Sequence, residues 1–322
     1  VSDGVHLLVP FAGSPPGGSP EALAGLQLPN LQRLLARLRE DGADTGAPDS
    51  LSMPHERALA RAWGLETATD GLIPLAAWQA RQDGLEGAEG AGWAWITPSH
   101  WRVGRDHVEM APAAALALDG VDSRTLLSAM EPYFAEDGIT LHYQAPLRWL
   151  ARGELFRKLP TASLDRVGGR TIDGWMPAGA PGRPLRRLQQ EMQMLLYTLP
   201  LNDARQRGGL LPVNSFWASG SGALPANVAE GAATPPAGLR LPQSLREAAL
   251  QGDPAAWRAA WQQLDARECA QLLEELDAGR PVRLTLCGDA HARSWVSGSA
   301  GAWQRFTALF SRPAPAALLG AL

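Results

Sequence analysis

Lysine is almost missing from this sequence: of 29 basic residues, only Lys158 is not an arginine. High-GC coding produces the same bias, along with the abundance of alanine, glycine and proline, so it is given no functional weight. Cysteine is nearly as scarce. Cys269 and Cys287 form no spaced cluster, which argues against a disulfide framework or a thiolate zinc site and suits buried thiols in a reducing compartment. Acidic residues number 33, for a formal charge of -4, so no broad surface attracts a nucleic-acid backbone or an anionic bilayer. No apolar run reaches the roughly 18 residues of a membrane span, and the alanine-rich stretch at residues 110–120 is too short and too weakly hydrophobic. Residues 1–9 lack the basic flank, long apolar region and cleavage site of a secretory signal. A cytoplasmic location is therefore expected, with oligomeric state left open. The Gly-x-x-x-x-Gly-Lys phosphate loop is also missing, and no nucleotide cofactor is expected.

What is present is length enough for a sizeable core, 322 residues, and an excess of tryptophan. Twelve tryptophans stand against three tyrosines and six phenylalanines, and several lie in polar contexts: Trp93, Trp95 and Trp101 near His100, Trp217 among Asn, Ser and Gly, and Trp295 after His291 and Arg293. A rigid apolar wall with one hydrogen-bond donor suits a pocket as well as a core, and both readings stand.

Strand, glycine/proline turn and helix open the chain. Residues 6–11 read as a strand, a turn region follows to Ser19, and residues 29–39 read as a helix with Leu31, Leu34, Leu35 and Leu38 on one face. Further helices are expected at 55–63, 123–134, 185–199, 254–264 and 267–277. Pro200 is read as stopping the third of these, and an Asp265/Glu268 capping box as opening the last. Strands are expected at 93–97, 210–216 and 281–287, with 139–144 and 147–151 forming a hairpin or two neighbouring strands. Residues 168–184 are a glycine/proline-rich surface excursion or lid, 225–241 a loop, and 301–310 a tail helix. Strands alternating with helices imply one α/β domain over 1–322: a layered, mostly parallel sheet with helices on both faces, interrupted by insertions near 168–184 and 223–243.

Polar loops beyond the carboxyl ends of such strands are where ligands bind. His100, Arg102, Arg105, Asp106 and His107 fall within eight residues. Imidazole and carboxylate ligate metals or move protons, and arginine offers paired donors to phosphate or carboxylate; a satisfied loop network is the alternative. Residues 214–222, from Asn214 through Trp217 to Gly222, offer an amide, three hydroxyls and glycines suited to an anion nest, or form a structural turn. Asp289 and His291 stand two apart after a strand and either meet one ion or cap a loop. Arg205 is a candidate clamp for an acidic substrate, and Ser50 or Ser52 a hydroxyl nucleophile that needs activation.

Several segments resemble a known superfamily. Leu28-Pro29-Asn30-Leu31-Gln32-Arg33-Leu34 is similar to the Thr-Pro-Asn-Leu-Asp-Arg-Leu opening of the alkaline-phosphatase and cofactor-independent phosphoglycerate-mutase superfamily, and residues 214–222 to the Asn-x-x-Trp-x-x-Gly-x-Gly segment of archaeal-type mutases. Residues 97–108, 165–170, 186–194 and 213–217 more closely resemble a bacterial phosphoglycerate-mutase-like family, a likeness covering roughly 51–295. The resemblance implies an alkaline-phosphatase-like α/β fold, two divalent ions (Mn, Zn or Mg) and a hydroxyl nucleophile that passes a phosphoryl group through a covalent intermediate.

Carried over by position, Ser50 becomes the nucleophile and Asp289 and His291 metal ligands. From the chemistry of the residues themselves, Asp106 is a further metal-ligand candidate and His107 a catalytic one, while His100, Arg102, Arg105, Arg205, Asn214 and Trp217 are expected to contact the ligand, a small phosphorylated or carboxylated molecule. Two positions depart from the pattern. Pro10-Phe11-Ala12-Gly13 stands where a metal-binding aspartate is expected, and Leu51 where an acidic residue follows the nucleophile. A non-catalytic anion-binding protein is accordingly the alternative to a metal-dependent mutase or phosphatase.

Overall fold

The computed structural model describes residues 4–13, 23–65, 69–224, 238–298 and 315–322. The expected tail helix, the turn from residue 14 to Ser19 and most of the loop at 225–241 lie outside the described residues. Elements β1 (Val5–Val9), α1 (Pro29–Arg37), β2 (Arg39–Thr45) and α2 (Pro54–Trp63) come first. They are followed by α3 (Leu75–Gln82), β3 (Trp93–Ser99), β4 (Trp101–Val103), β5 (Val108–Met110), α4 (Gly120–Glu136), β6 (Thr140–Ala145) and β7 (Arg148–Arg152). Next come α5 (Leu164–Val167), α6 (Arg183–Tyr197), α7 (Pro200–Arg207) and β8 (Ser215–Gly222). The chain closes with β9 (Leu239–Arg240), α8 (Ser244–Leu250), α9 (Pro254–Leu264), α10 (Ala270–Asp277), β10 (Val282–Cys287), β11 (His291–Val296) and α11 (Pro315–Leu319).

The fold is mixed α/β, but the sheet differs from expectation. Among the described residues the strands form three sheets, of five, four and two strands, and β1 alone pairs in parallel with its neighbours β9 and β10. The other ladders are antiparallel; between β4 and β5, β6 and β7, and β10 and β11 the connection is short and can only return a strand beside its predecessor, while β2–β11, β3–β7 and β3–β8 join strands distant in the chain. Contacts gather the chain into two compact units: Val1–Asp49, Met53–Trp63 and Thr234–Leu322 form one, Ser50–Ser52 and Gly64–Ala233 the other. No helix among the described residues is long and apolar enough to cross a membrane.

The first unit holds the five-stranded sheet, in the order β2-β11-β10-β1-β9. Alternation sends Leu7, Val9, Leu284 and Leu286 to one face, where Leu31, Leu34, Trp257, Trp261 and Leu272 from α1, α9 and α10 bury them. Helix α2 packs against β1, β10 and β11. On the face opposite Leu7 and Val9, His6 Nε2 lies 2.9 Å from Thr285 Oγ1, which lies 3.0 Å from Ser294 Oγ. Burial, helped by Arg283, pushes the His6 imidazole down to about 4.

The second unit holds β6-β7-β3-β8, antiparallel throughout. Ile96, Ala218 and Phe216 face a core made with Leu126, Met130 and Phe134 of α4 and Leu188 and Met192 of α6. Their alternates face the other way, where Trp217 packs with Trp101, Met110, Ala162 and Val167.

Three local readings are corrected. Residues 217–222 are strand, not a flexible nest: their backbone pairs with β3, and Gly220 is needed because a Cβ at its φ of +61° would lie 2.7 Å from the Trp95 ring. Pro200 ends α6 and also starts α7, where a missing N–H costs nothing. Asp265 opens no separate helix. Residues Asp265–Cys269 make a π-helical turn continuous with α9 and α10, and the Asp265 carboxylate reaches α1, accepting from the Leu31 N–H at 2.7 Å and the Asn30 N–H at 3.2 Å. Asp265 thereby does the work of an N-cap that Leu28, the residue at that place, has no side-chain oxygen to do.

Two outcomes are expected. Asp265→Ala should cost about 1–2 kcal/mol, the scale of a lost helix cap, and lower the calorimetric melting temperature; an unchanged midpoint would deny Asp265 that role. For His6, the unfolded imidazole takes up its proton near 6.5 and the folded one only near 4, so stability should be full above 6.5 and fall as pH drops between those values. The loss is on the order of 3 kcal/mol, and chemical denaturation of His6→Gln should lack that segment of the pH dependence.

Candidate functional site

Of the polar residues singled out in the second unit, His100 and Asn214 lie where β3 gives way to β4, and Arg102, Arg105, Asp106 and His107 follow directly. Asn214 holds that junction: its Oδ1 accepts from the Trp101 N–H at 2.7 Å and its Nδ2 donates to the Trp101 carbonyl at 2.8 Å. A side-chain amide matches a peptide group donor for acceptor, so one residue satisfies both main-chain groups as a strand would. The Trp101 ring then meets Trp217 edge-on, with centroids 6.3 Å apart, and Trp217 Nε1 donates to the Ala162 carbonyl at 3.0 Å. Asn214 and Trp217 therefore have their side-chain polar atoms engaged by the protein itself.

His100 sits between the two strands, its Nδ1 donating to the Pro212 carbonyl at 2.8 Å. Burial holds its pKa below the usual histidine value, with the Pro212 contact opposing and Arg102 adding to the depression. The imidazole is accordingly neutral near pH 7, with Nδ1 protonated and Nε2 left as an acceptor.

Beyond Trp101, β4 and β5 form a short hairpin whose turn is closed by the Gly104 N–H donating to the His107 carbonyl at 2.8 Å. Arg102, Arg105, Asp106 and His107 are all exposed on it. His107 Nε2 lies 3.1 Å from Glu109 Oε1, while Arg102 and Arg105 form no ion pair with any described residue. The segment expected as an excursion or lid, 168–184, is tied to this hairpin. The Gly169 N–H donates to the Met110 carbonyl at 2.8 Å, and the Val108 N–H to Asp173 Oδ2 at 3.1 Å.

Sequence reasoning passed over Ser99 and counted Ser215 only as one of the three hydroxyls of residues 214–222. They are direct cross-strand partners in the β3–β8 ladder, on the Trp217 face, and are 2% and 0% exposed. Among the described residues neither hydroxyl has a hydrogen-bond partner, nor has the buried Trp101 Nε1. The available signal was period-two alternation in 97–101, which puts Thr97, Ser99 and Trp101 on one side.

The remaining candidates are placed elsewhere. Arg205 is a buried strut: its guanidinium pairs with Asp122 at 2.8 Å and donates to the carbonyls of Leu211 and Leu116, so it is engaged before any substrate arrives. The Ser50 carbonyl, in the second unit, accepts from Arg166 Nε at 2.9 Å, and the following amides of Leu51 and Ser52 donate to Asp70. Asp289 and His291 lie in the first unit at the turn from β10 to β11, where the Ala290 carbonyl accepts from Gly46 N–H and Arg57.

Among the described residues, no group of three His, Cys, Asp or Glu side chains is placed to hold a metal. At the end of β1, Phe11 and Ala12 present carbonyls that are already taken, by Trp257 Nε1 at 2.9 Å and Trp261 Nε1 at 3.2 Å. Phe11 holds a left-handed φ of 53° there, and its ring packs 5.7 Å from that of His55.

No model of a known protein family matches the chain, and no curated protein does. Among solved structures it bears a distant likeness to the cofactor-independent phosphoglycerate mutase from Thermoplasma acidophilum DSM 1728. The TM-score is 0.38 at 14% identity, over 92% of this chain and 90% of that one. It is similar also to the PH0037 protein from Pyrococcus horikoshii, with a TM-score of 0.45 at 13% identity, covering 95% and 93% respectively.

Asn214→Ala frees both main-chain groups of Trp101 and is expected to cost about 1–3 kcal/mol. In hydrogen exchange the Trp101 amide should lose its protection first. Unaltered protection at Trp101 would mean that another group holds the junction.

Proposed function

We propose that this chain is a phosphoglycerate-mutase-like protein that binds a small phosphorylated or carboxylated molecule and has lost metal-dependent phosphoryl transfer. The observation that carries this reading is the end of β1. Active members of the family it resembles place a metal-binding aspartate there, whereas Phe11 and Ala12 offer only carbonyls already bonded to two indoles. Leu51 likewise replaces the acidic residue expected after Ser50. Removing two carboxylates removes both the charge that offsets a pair of divalent ions and the geometry that spaces them.

Anion binding is supported by the β4–β5 hairpin. Arg102 and Arg105 are exposed on it, just beyond the junction that Asn214 fixes at Trp101, and without an ion-pair partner among the described residues they keep their paired donors for a ligand. Mn, Zn or Mg has no role in this reading.

Isothermal titration with 3-phosphoglycerate and with inorganic phosphate tests it. Binding is expected to be unaffected by chelator and weakened at least about tenfold by Arg102→Ala together with Arg105→Ala, the scale of charged hydrogen bonds. Metal-stimulated phosphate release that disappears in Ser50→Ala would replace this reading with the enzymatic one.

A further inference from the structure

The four-stranded sheet of the second unit ends differently on its two sides. At one side β8 is buried along almost its whole length. At the other, β6 pairs only with β7, and no main-chain hydrogen bond from any other described segment reaches Thr140–Ala145. Such an edge offers a row of free N–H and C=O groups to an arriving strand, and proteins ordinarily blunt it with charge or proline. β2, an edge of the other sheet, is blunted by Arg39, Glu40, Asp41 and Asp44. β6 carries neither device. Its His142 is held below the usual histidine value by burial and by Arg152, against the opposing charge of Glu131, and is neutral near pH 7. The one irregularity in its ladder, between Tyr143 and Ala145, leaves residues 140–143 regular.

Helix α4 adds charge beside this edge in a fixed order. It packs against β6 and turns directly into it, the Ile139 N–H donating to the Phe134 carbonyl at 2.9 Å, so helix and strand run in opposite directions. Near the start of α4, Arg124 stacks 3.7 Å above the Tyr143 ring, at the far end of β6. Glu131 follows about two helical turns later on the same side of α4, towards the start of the strand. Both side chains are exposed, and neither has an ion-pair partner among the described residues. At roughly 10 Å apart along one helix they cannot pair with each other. A two-fold axis through the middle of β6, perpendicular to the sheet, sets β6 antiparallel against β6 of a second copy and exchanges the ends of the two strands. Arg124 of each copy then meets Glu131 of the other. Parallel pairing keeps like ends together and gives no such match.

We propose that β6 is a self-association edge, at which two copies of this chain join their four-stranded sheets antiparallel across residues 140–143 into one continuous sheet, with an Arg124–Glu131 pair on either side of the axis.

Sedimentation equilibrium of the full chain at low ionic strength, where exposed pairs are least screened, tests this. A concentration-dependent dimer is expected. Arg124→Glu and Glu131→Arg each turn both attractive pairs into repulsive ones and should raise its dissociation constant about fivefold or more. The double variant, which restores opposite charges with the two sites exchanged, should recover most of that loss. Because both side chains are exposed, circular dichroism melts of the variants should match the wild type. Where one does not, Arg124→Gln and Glu131→Gln, which remove charge without reversing it, carry the same test with a smaller loss. A dimer that ignores the single changes, or a double variant no tighter than either single one, would overturn β6 as the seam. A wild type that stays monomeric at every concentration reached would overturn self-association and leave the edge to an extended segment of a different protein.

Discussion

Two hydrogen bonds from one side chain organise the junction between β3 and β4. The Asn214 amide takes up both main-chain groups of Trp101 at the point where β3 stops. Without it, that peptide would be half-buried and unpaired, and the chain would have no fixed direction in which to leave the sheet. With it, Trp101 lies against Trp217, Ser99 is held beneath, and the hairpin departs with its arginines outward. The clasp is electrically neutral, so its strength does not vary with the charge of whatever approaches.

The first unit uses tryptophan differently. At the carboxyl end of β1, carbonyls that face a ligand in many α/β sheets are instead closed by Trp257 and Trp261, which stand T-shaped with centroids 6.3 Å apart. Each indole buries a large apolar area and satisfies one buried acceptor at the same time. Both tryptophans and Phe11 contribute to the core of that unit, so the end of β1 is fixed by its packing.

Much of the helical structure was legible because its signal is periodic and local. The leucines of α1 and α6 repeat at the helical interval and are buried where that interval places them. Strand pairing was much less so, since whether β1 lies beside β10 is decided by contacts far apart in the chain. β2 was missed for another reason: Arg39–Thr45 is charged and exposed along almost its whole length, with no apolar alternation to read. The site was legible in type and not in role. Arg102, Arg105 and Asn214 were picked for their chemistry, but only coordinates distinguish an arginine in solvent from Arg205, buried against Asp122, or an amide that binds a ligand from one that binds a peptide. Ser99 drew no attention, since a serine in an apolar strand acquires meaning only from the unpaired serine across from it.

The same charged edge has a bearing on how the protein behaves when crowded. β2 ends the five-stranded ladder with main-chain groups on its outer side, which in an apolar strand would invite another chain to extend the sheet. Arg39, Glu40, Asp41 and Asp44 lie along it, and Glu40 and Asp41 are drawn inward by Arg293 and Arg283 of neighbouring strands. A second molecule approaching in register would have to strip water from those ions and break pairs already made. Colloidal stability on this flank is thus written into the residues that made the strand so hard to recognise.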